Sequence, residues 1–157
     1  MQAPRSGGPE RCKAEVAIAA GAAQAGHEQK RAGDLVISVE PAEIAVHPEG
    51  LQDAVYEIVS NALTFSAGNT PVTVNGRKHE RRYRIEIWDQ GPGMSAAERA
   101  AIGAFTQFGR EKREQQGLGL GLAIAAASAR LAQGEFSLAA GENDRGLKAI
   151  FDLPLAL

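Results

Sequence analysis

The stretch PVTVNGRKHERRYRIEIWD, residues 71–89, sets two runs of alternating apolar and polar residues around a polar turn near Asn75 to Arg81. Alternation at period two marks a strand with one buried face, and two such strands joined by a short turn pair antiparallel. A second pair stands at the C-terminal end, in GEFSLAAG and LKAIFDLPLAL, while DLVISVE and EIAVH add two extended pieces near the start. Between these the period changes. From Pro48 to about Phe65 the residues Leu51, Val55, Ile58, Val59 and Ala62 share one helical face. Residues 11–31 read as a helix weakened by Gly21 and Gly26, 94–116 as a short helix with a charged connector, and 119–133 as a second long helix. Helices mixed with adjacent hairpins predict an α+β fold, a two-layer sandwich whose mixed, mostly antiparallel sheet is covered on one face by helices.

The remaining bounds come from composition. A chain of 157 residues has the size of one domain; residues 1–10, rich in Gly, Pro and Ser, read as a disordered lead-in, and 11–157 as that domain. A net charge of -2 offers no basic excess for nucleic acid. No eighteen apolar residues run together, so no membrane contact is expected. The one cysteine, Cys12, has no internal partner for a disulfide, which fits a cytoplasmic location.

Three polar features invite chemistry. Glu57 and Asn61, four residues apart, stand one above the other beside the apolar stripe of the central helix. A carboxylate and a carboxamide there suit a hydrated Mg2+, which takes few protein oxygens and keeps waters and phosphate ligands. Asp89, Gly91 and Gly93 follow the second strand directly. Gly91, Gly93 and Ala96 match a dinucleotide fingerprint by spacing, but the next stretch, GREKREQQ, is too charged for the buried parallel strand that unit requires. In EQQGLGLGLAIA, Leu122 stands five residues beyond Gly117, so a P-loop with its Gly-Lys is excluded. Taken together, a strand-end carboxylate accepts a hydrogen bond from an exocyclic amine such as that of adenine, and a glycine-rich helix start offers free N–H groups to phosphates. The three parts make one site for ATP.

The order Glu57-x3-Asn61-Ala62, Asp89-x-Gly91-x-Gly93-Met94, Phe105-x2-Phe108 and Gly117-x-Gly119-x-Gly121-Leu122 resembles the four boxes of the catalytic ATP-binding domain of bacterial sensor histidine kinases, a Bergerat-type ATPase. The resemblance spans about residues 34–155, and the wording FTQFGREKREQQGLGLGLAIA with the closing FDLPL looks most like hybrid or response-regulator-linked members. It implies that Asn61 coordinates Mg2+ with help from Glu57. It implies that Asp89 reads adenine beside Gly91 and Gly93, and that Gly117, Gly119, Gly121 and Leu122 form the phosphate wall. Residues from about 95 to 116 are then a mobile lid, with Phe105 and Phe108 packing it down and Arg110, Lys112 and Arg113 available to phosphate. The implied partners are a histidine-containing dimerisation domain, in the same chain or another, and a downstream response regulator.

Two departures qualify the resemblance. Thr64 stands where the family usually carries a phosphate-binding lysine. The phosphoacceptor motif is missing: His27 and Glu28 are followed by no Arg-Thr-Pro, so His27 reads as a surface helix residue, and His47 and His79 as structural or solvent-exposed. An anti-sigma-factor-type serine kinase and a non-catalytic ATP-binding module remain alternatives. With the lysine replaced, Arg110→Ala or Arg113→Ala is expected to weaken ATP binding more than in a relative that keeps it; nucleotide titrations of both variants check this.

Overall fold

The computed structural model describes residues 10–101 and 119–156, the side chains of 119 and 120 excepted. Its strands are β1 (Cys12–Lys13), β2 (Leu35–Val39), β3 (Glu43–Ile44), β4 (Val72–His79), β5 (Arg82–Trp88), β6 (Glu135–Ala140) and β7 (Leu147–Pro154). The helices are α1 (Ala14–Glu28), α2 (Pro48–Phe65), α3 (96–101) and α4 (Gly119–Leu131). Five strands form one sheet in the order β2-β4-β5-β7-β6, and only the β2–β4 pair is parallel. That exception follows from connectivity, since the route from β2 to β4 passes through α2, and a helical crossover returns a strand in the same direction. The expected α+β class and mostly antiparallel sheet are both present.

Alternation decides which sheet face is covered. On β5, Tyr83, Ile85 and Ile87 are buried, and opposite them on β7 stand Leu153, Phe151 and Ala149. Arg82, Arg84, Glu86 and Trp88 take the other face, where Arg84 and Lys148 both pair with Glu86. Helices α1, α2 and α4 pack over the apolar face with α2 in the middle, α1 lying on β2 and β4, α2 on β4 and β5, and α4 on β6 and β7. On α2 the buried residues are Leu51, Ala54, Val55, Ile58, Val59, Ala62 and Leu63, the stripe that periodicity predicts with two more members. Gly21 is a contact rather than a weakness: a Cβ there would lie 2.5 Å from Gln52 O, so its bareness lets α1 approach α2 closely.

Local expectations fail where context overrides pattern. The hairpin turn is at Glu80 and Arg81, not Asn75 to Arg81. The polar run from Asn75 stays in the strand because Arg77 bonds Ser38 and the Lys78 amide donates to Glu40. EIAVH yields only two strand residues, which pair with Cys12 and Lys13 in a separate small sheet; Pro48 starts α2 and ends the extended run. β2 is an edge strand on which Val36 and Ile37 are exposed, not the half-buried strand its alternation implies. Phe151 sits at the centre of the covered face, its ring 4.9 Å from that of Phe136. Phe151→Ala is expected to destabilise the fold by about 3–5 kcal/mol, measured by urea unfolding.

Candidate functional site

Asp89 ends the central strand. Its backbone N–H donates to Leu147 O at 3.1 Å, the start of β7, and its Oδ1 accepts from the Gly91 N–H at 2.8 Å, closing a turn. Only 6% of the residue is exposed. Burial pushes the Asp89 carboxyl above its ordinary range, with backbone donors at Gly91 and Leu147 pulling the other way. Behind it Gly146 has φ +69, and a Cβ there would fall 1.8 Å from Asp89 O. Gly93, at φ +72, faces the same residue, a Cβ on it lying 2.7 Å from Gly146 O. Both positions need glycine for the left-handed backbone as well as for space.

From Asp89 a cavity of about 210 Å³ runs to Asn61. Its floor is the apolar sheet face at Ile87, Leu138, Leu147 and Ala149; Ile58, Ala62 and Phe65 of α2 form one wall, and Pro92, Gly93, Met94 and Glu98 another. Phe65 is 49% exposed, so its ring borders both cavity and solvent. Leu122 reaches in from α4. The N-terminal turn of that helix lies against the polar pair of α2: a Cβ on Gly121 would be 3.1 Å from Glu57 Oε2 and 3.2 Å from Asn61 Nδ2. The Asn61 amide nitrogen is buried and has no hydrogen-bond partner among the described residues. Burial, and the Asp53 carboxylate nearby, push Glu57 up from its ordinary value.

The structure thus gathers Asn61, Asp89, Gly93 and Leu122 on one cavity, with Glu57, Gly91 and Gly121 directly behind its polar groups. Gly119 begins α4, so Gly119 and Gly121 belong to the first helical turn rather than to a loop before it. Phe105, Phe108, Arg110, Lys112, Arg113 and Gly117 lie outside the described residues. Thr64 turns away from the cavity: its hydroxyl donates to Ser60 O and accepts from Gln29. Sequence reasoning missed Gly146 and Leu138, whose relevance comes from strand pairing, and Phe65, which reaches the cavity from the end of α2. The one available signal was the glycine placed just before the strand that pairs with the Asp89 strand.

A family model for histidine kinase-, DNA gyrase B- and HSP90-like ATPases matches residues 46–157, well over half the chain. The chain belongs to that family. This ATPase domain is similar in structure to a mycobacterial sensor histidine kinase, MprB, with TM-score 0.78 and 23% identity over 95% of this chain and 99% of that one. It is also similar to the catalytic domain of histidine kinase ThkA, at TM-score 0.74 and 18% identity over 93% and 96%. The ATP-binding domain of PrrB from Mycobacterium tuberculosis matches at 0.70 and 24%, over 94% and 98%. No curated protein matches the chain at a significant level. The fold is therefore that of histidine kinase catalytic domains, and the ATPase has, among its described residues, no helix long and apolar enough to cross a membrane.

Because the folded carboxyl of Asp89 holds its proton to higher pH than the unfolded one, its contribution to stability is full below the ordinary value of 3.8 and is lost as pH rises through the folded value. Asp89→Asn keeps the acceptor for Gly91 without the charge. It is expected to unfold at higher urea than wild type, with the gap wider at pH 7 than at pH 4. Gly146→Ala is expected to lower the unfolding midpoint and to weaken nucleotide binding.

Proposed function

We propose that this chain is the catalytic module of a two-component histidine kinase, which binds Mg-ATP in the Asn61–Asp89 cavity and presents the γ-phosphoryl group to a histidine on a separate dimerisation domain. The observation that carries the reading is a single apolar slot with a buried carboxylate at one end and a carboxamide beside a helix N-terminus at the other. A flat base suits the slot between Phe65 and the sheet floor. The Asp89 carboxylate takes the exocyclic amine, replacing water lost on burial with a directed acceptor. The free N–H groups opening α4 then face the phosphates.

Glu57 and Asn61 fit a magnesium ion. Each side chain carries a hard oxygen, and the two meet at Gly121; the Asn61 atom there is Nδ2, without a partner among the described residues, and turning the amide over would present Oδ1 to the ion. When bound, the ion neutralises phosphate charge. Glu57, beside Asn61 at Gly121, would order the water around it. In the transfer, the bond from the γ-phosphorus to the bridging oxygen of ADP breaks and a bond to the acceptor imidazole nitrogen forms. Such chemistry asks the protein mainly for positioning and charge stabilisation. The nucleophile belongs to the partner domain, from which a response regulator receives the group. Residues 1–10 serve as a lead-in to the domain, 11–157, and about 95–116 as its lid, whose Arg110, Lys112 and Arg113 supply the cation that Thr64 does not. An ATP supply places the module in the cytoplasm.

Titration of ATP with and without Mg2+ tests the reading, with tighter binding expected when the ion is present. Asp89→Asn is expected to abolish binding in a folded protein. Incubation with labelled ATP and a histidine-bearing dimerisation domain is expected to label that domain at an acid-labile position. Acid-stable labelling of serine would point to an anti-sigma-type kinase, and binding without transfer to any acceptor would point to a non-catalytic module.

A further inference from the structure

The last turn of α2 holds no basic residue, and the helix ends on Ser66 in an extended conformation, without a glycine turn to close its free carbonyls. Ser66 Oγ takes one of them, Ala62 O, at 2.7 Å. Leu63 O, and the carbonyls of the loop that follows the helix, are met from outside by one side chain. The guanidinium of Arg31 donates to Leu63 O and, at 3.0 Å, to Ser66 O through Nη1, and to Ala67 O and Thr70 O at 2.8 and 3.3 Å through Nη2. Its Nε is held by Asp34 at 2.7 Å, and the same carboxylate accepts from the Asn69 N–H at 3.2 Å. Arg31 is only 15% exposed. Two residues earlier, Gln29 donates to Ser60 O and to the Thr64 hydroxyl. The connector after α1 thereby grips the C-terminal third of α2 and the loop behind it.

That third carries Asn61, Ala62 and Phe65, which line the cavity. It also abuts the other wall: a Cβ on Gly91 would lie 2.4 Å from Phe65 O. Any shift of the α2 end therefore moves the Asn61 side chain relative to Asp89. We propose that Arg31, which precedes the family-matched span 46–157, is a positioning residue for nucleotide binding, holding the end of α2 in register with the cavity. The proposal rests on the reading of that cavity as the ATP site. Arginine is suited to the task because its rigid fork serves several carbonyls at once while its charge faces the negative end of the helix; a lysine ammonium is a point donor.

The test titrates Mg-ATP into the whole chain carrying Arg31→Ala or Arg31→Lys, at a temperature where circular dichroism shows each protein fully folded. Loss of stability alone then leaves affinity unchanged. Arg31→Ala is expected to weaken binding about tenfold and Arg31→Lys severalfold, since displacements of an ångström at a positioned group carry effects of about that size or larger. Amide exchange should accelerate over 60–70. Arg82→Ala, which removes the ion pair with Asp152 at the start of β5, is expected to keep wild-type affinity. Folded Arg31→Lys binding Mg-ATP as wild type does overturns the proposal, and that variant decides alone if Arg31→Ala does not fold. Wild-type protein that binds no ATP overturns the reading of the site instead.

Discussion

Asp89 is buried at the end of the central strand, and no ion pair involves it among the described residues. A carboxylate in that position is costly to the fold, and the neighbouring structure is arranged around keeping it there. Two backbone donors hold it, the left-handed Gly146 brings bare main chain against it with the left-handed Gly93 packed behind Gly146, and β7 begins where its backbone N–H finds Leu147. None of these features improves the core. On the proposed reading of the cavity they form a pre-set acceptor for an incoming donor.

The opposite end of the slot depends on α2. Its apolar stripe docks the helix on the sheet, but docking by itself leaves freedom to slide and tilt, and on the proposed reading Asn61 serves the nucleotide only at one setting. Three independent contacts remove that freedom. The bareness of Gly21 lets α1 press on the middle of α2, Gly121 allows α4 to approach Glu57 and Asn61, and Arg31 ties down the C-terminal carbonyls. Apolar burial therefore sets which face of the helix is inside, and short-range polar and steric contacts set where along its axis it stops.

The fold class was legible because period two and period 3.6 are properties of the chain itself. The stripe from Leu51 to Ala62 needed no partner to be recognised, and α2 spans Pro48–Phe65 as expected. Asn61 and Asp89 were legible as chemistry from their places at the edge of a stripe and the end of a strand, and both line the cavity. The failures share a cause. Asn75 reads as turn until Ser38 and Glu40 on the neighbouring strand offer bonds to Arg77 and Lys78, and Ile37 reads as core until β2 proves to be an edge.

The sequence by itself determined the element types, the antiparallel hairpins and the identities of the polar groups, because hydrophobic period and residue chemistry are local. Only the tertiary structure decided that Gly146 backs Asp89, that Gly121 sits on the Glu57–Asn61 pair, that Thr64 faces α1 and that Arg31 caps α2. Each of those joins residues at least 30 positions apart in the chain. No local pattern encodes such pairs, since they are set by which faces meet when the helices and the sheet bury their apolar surfaces together.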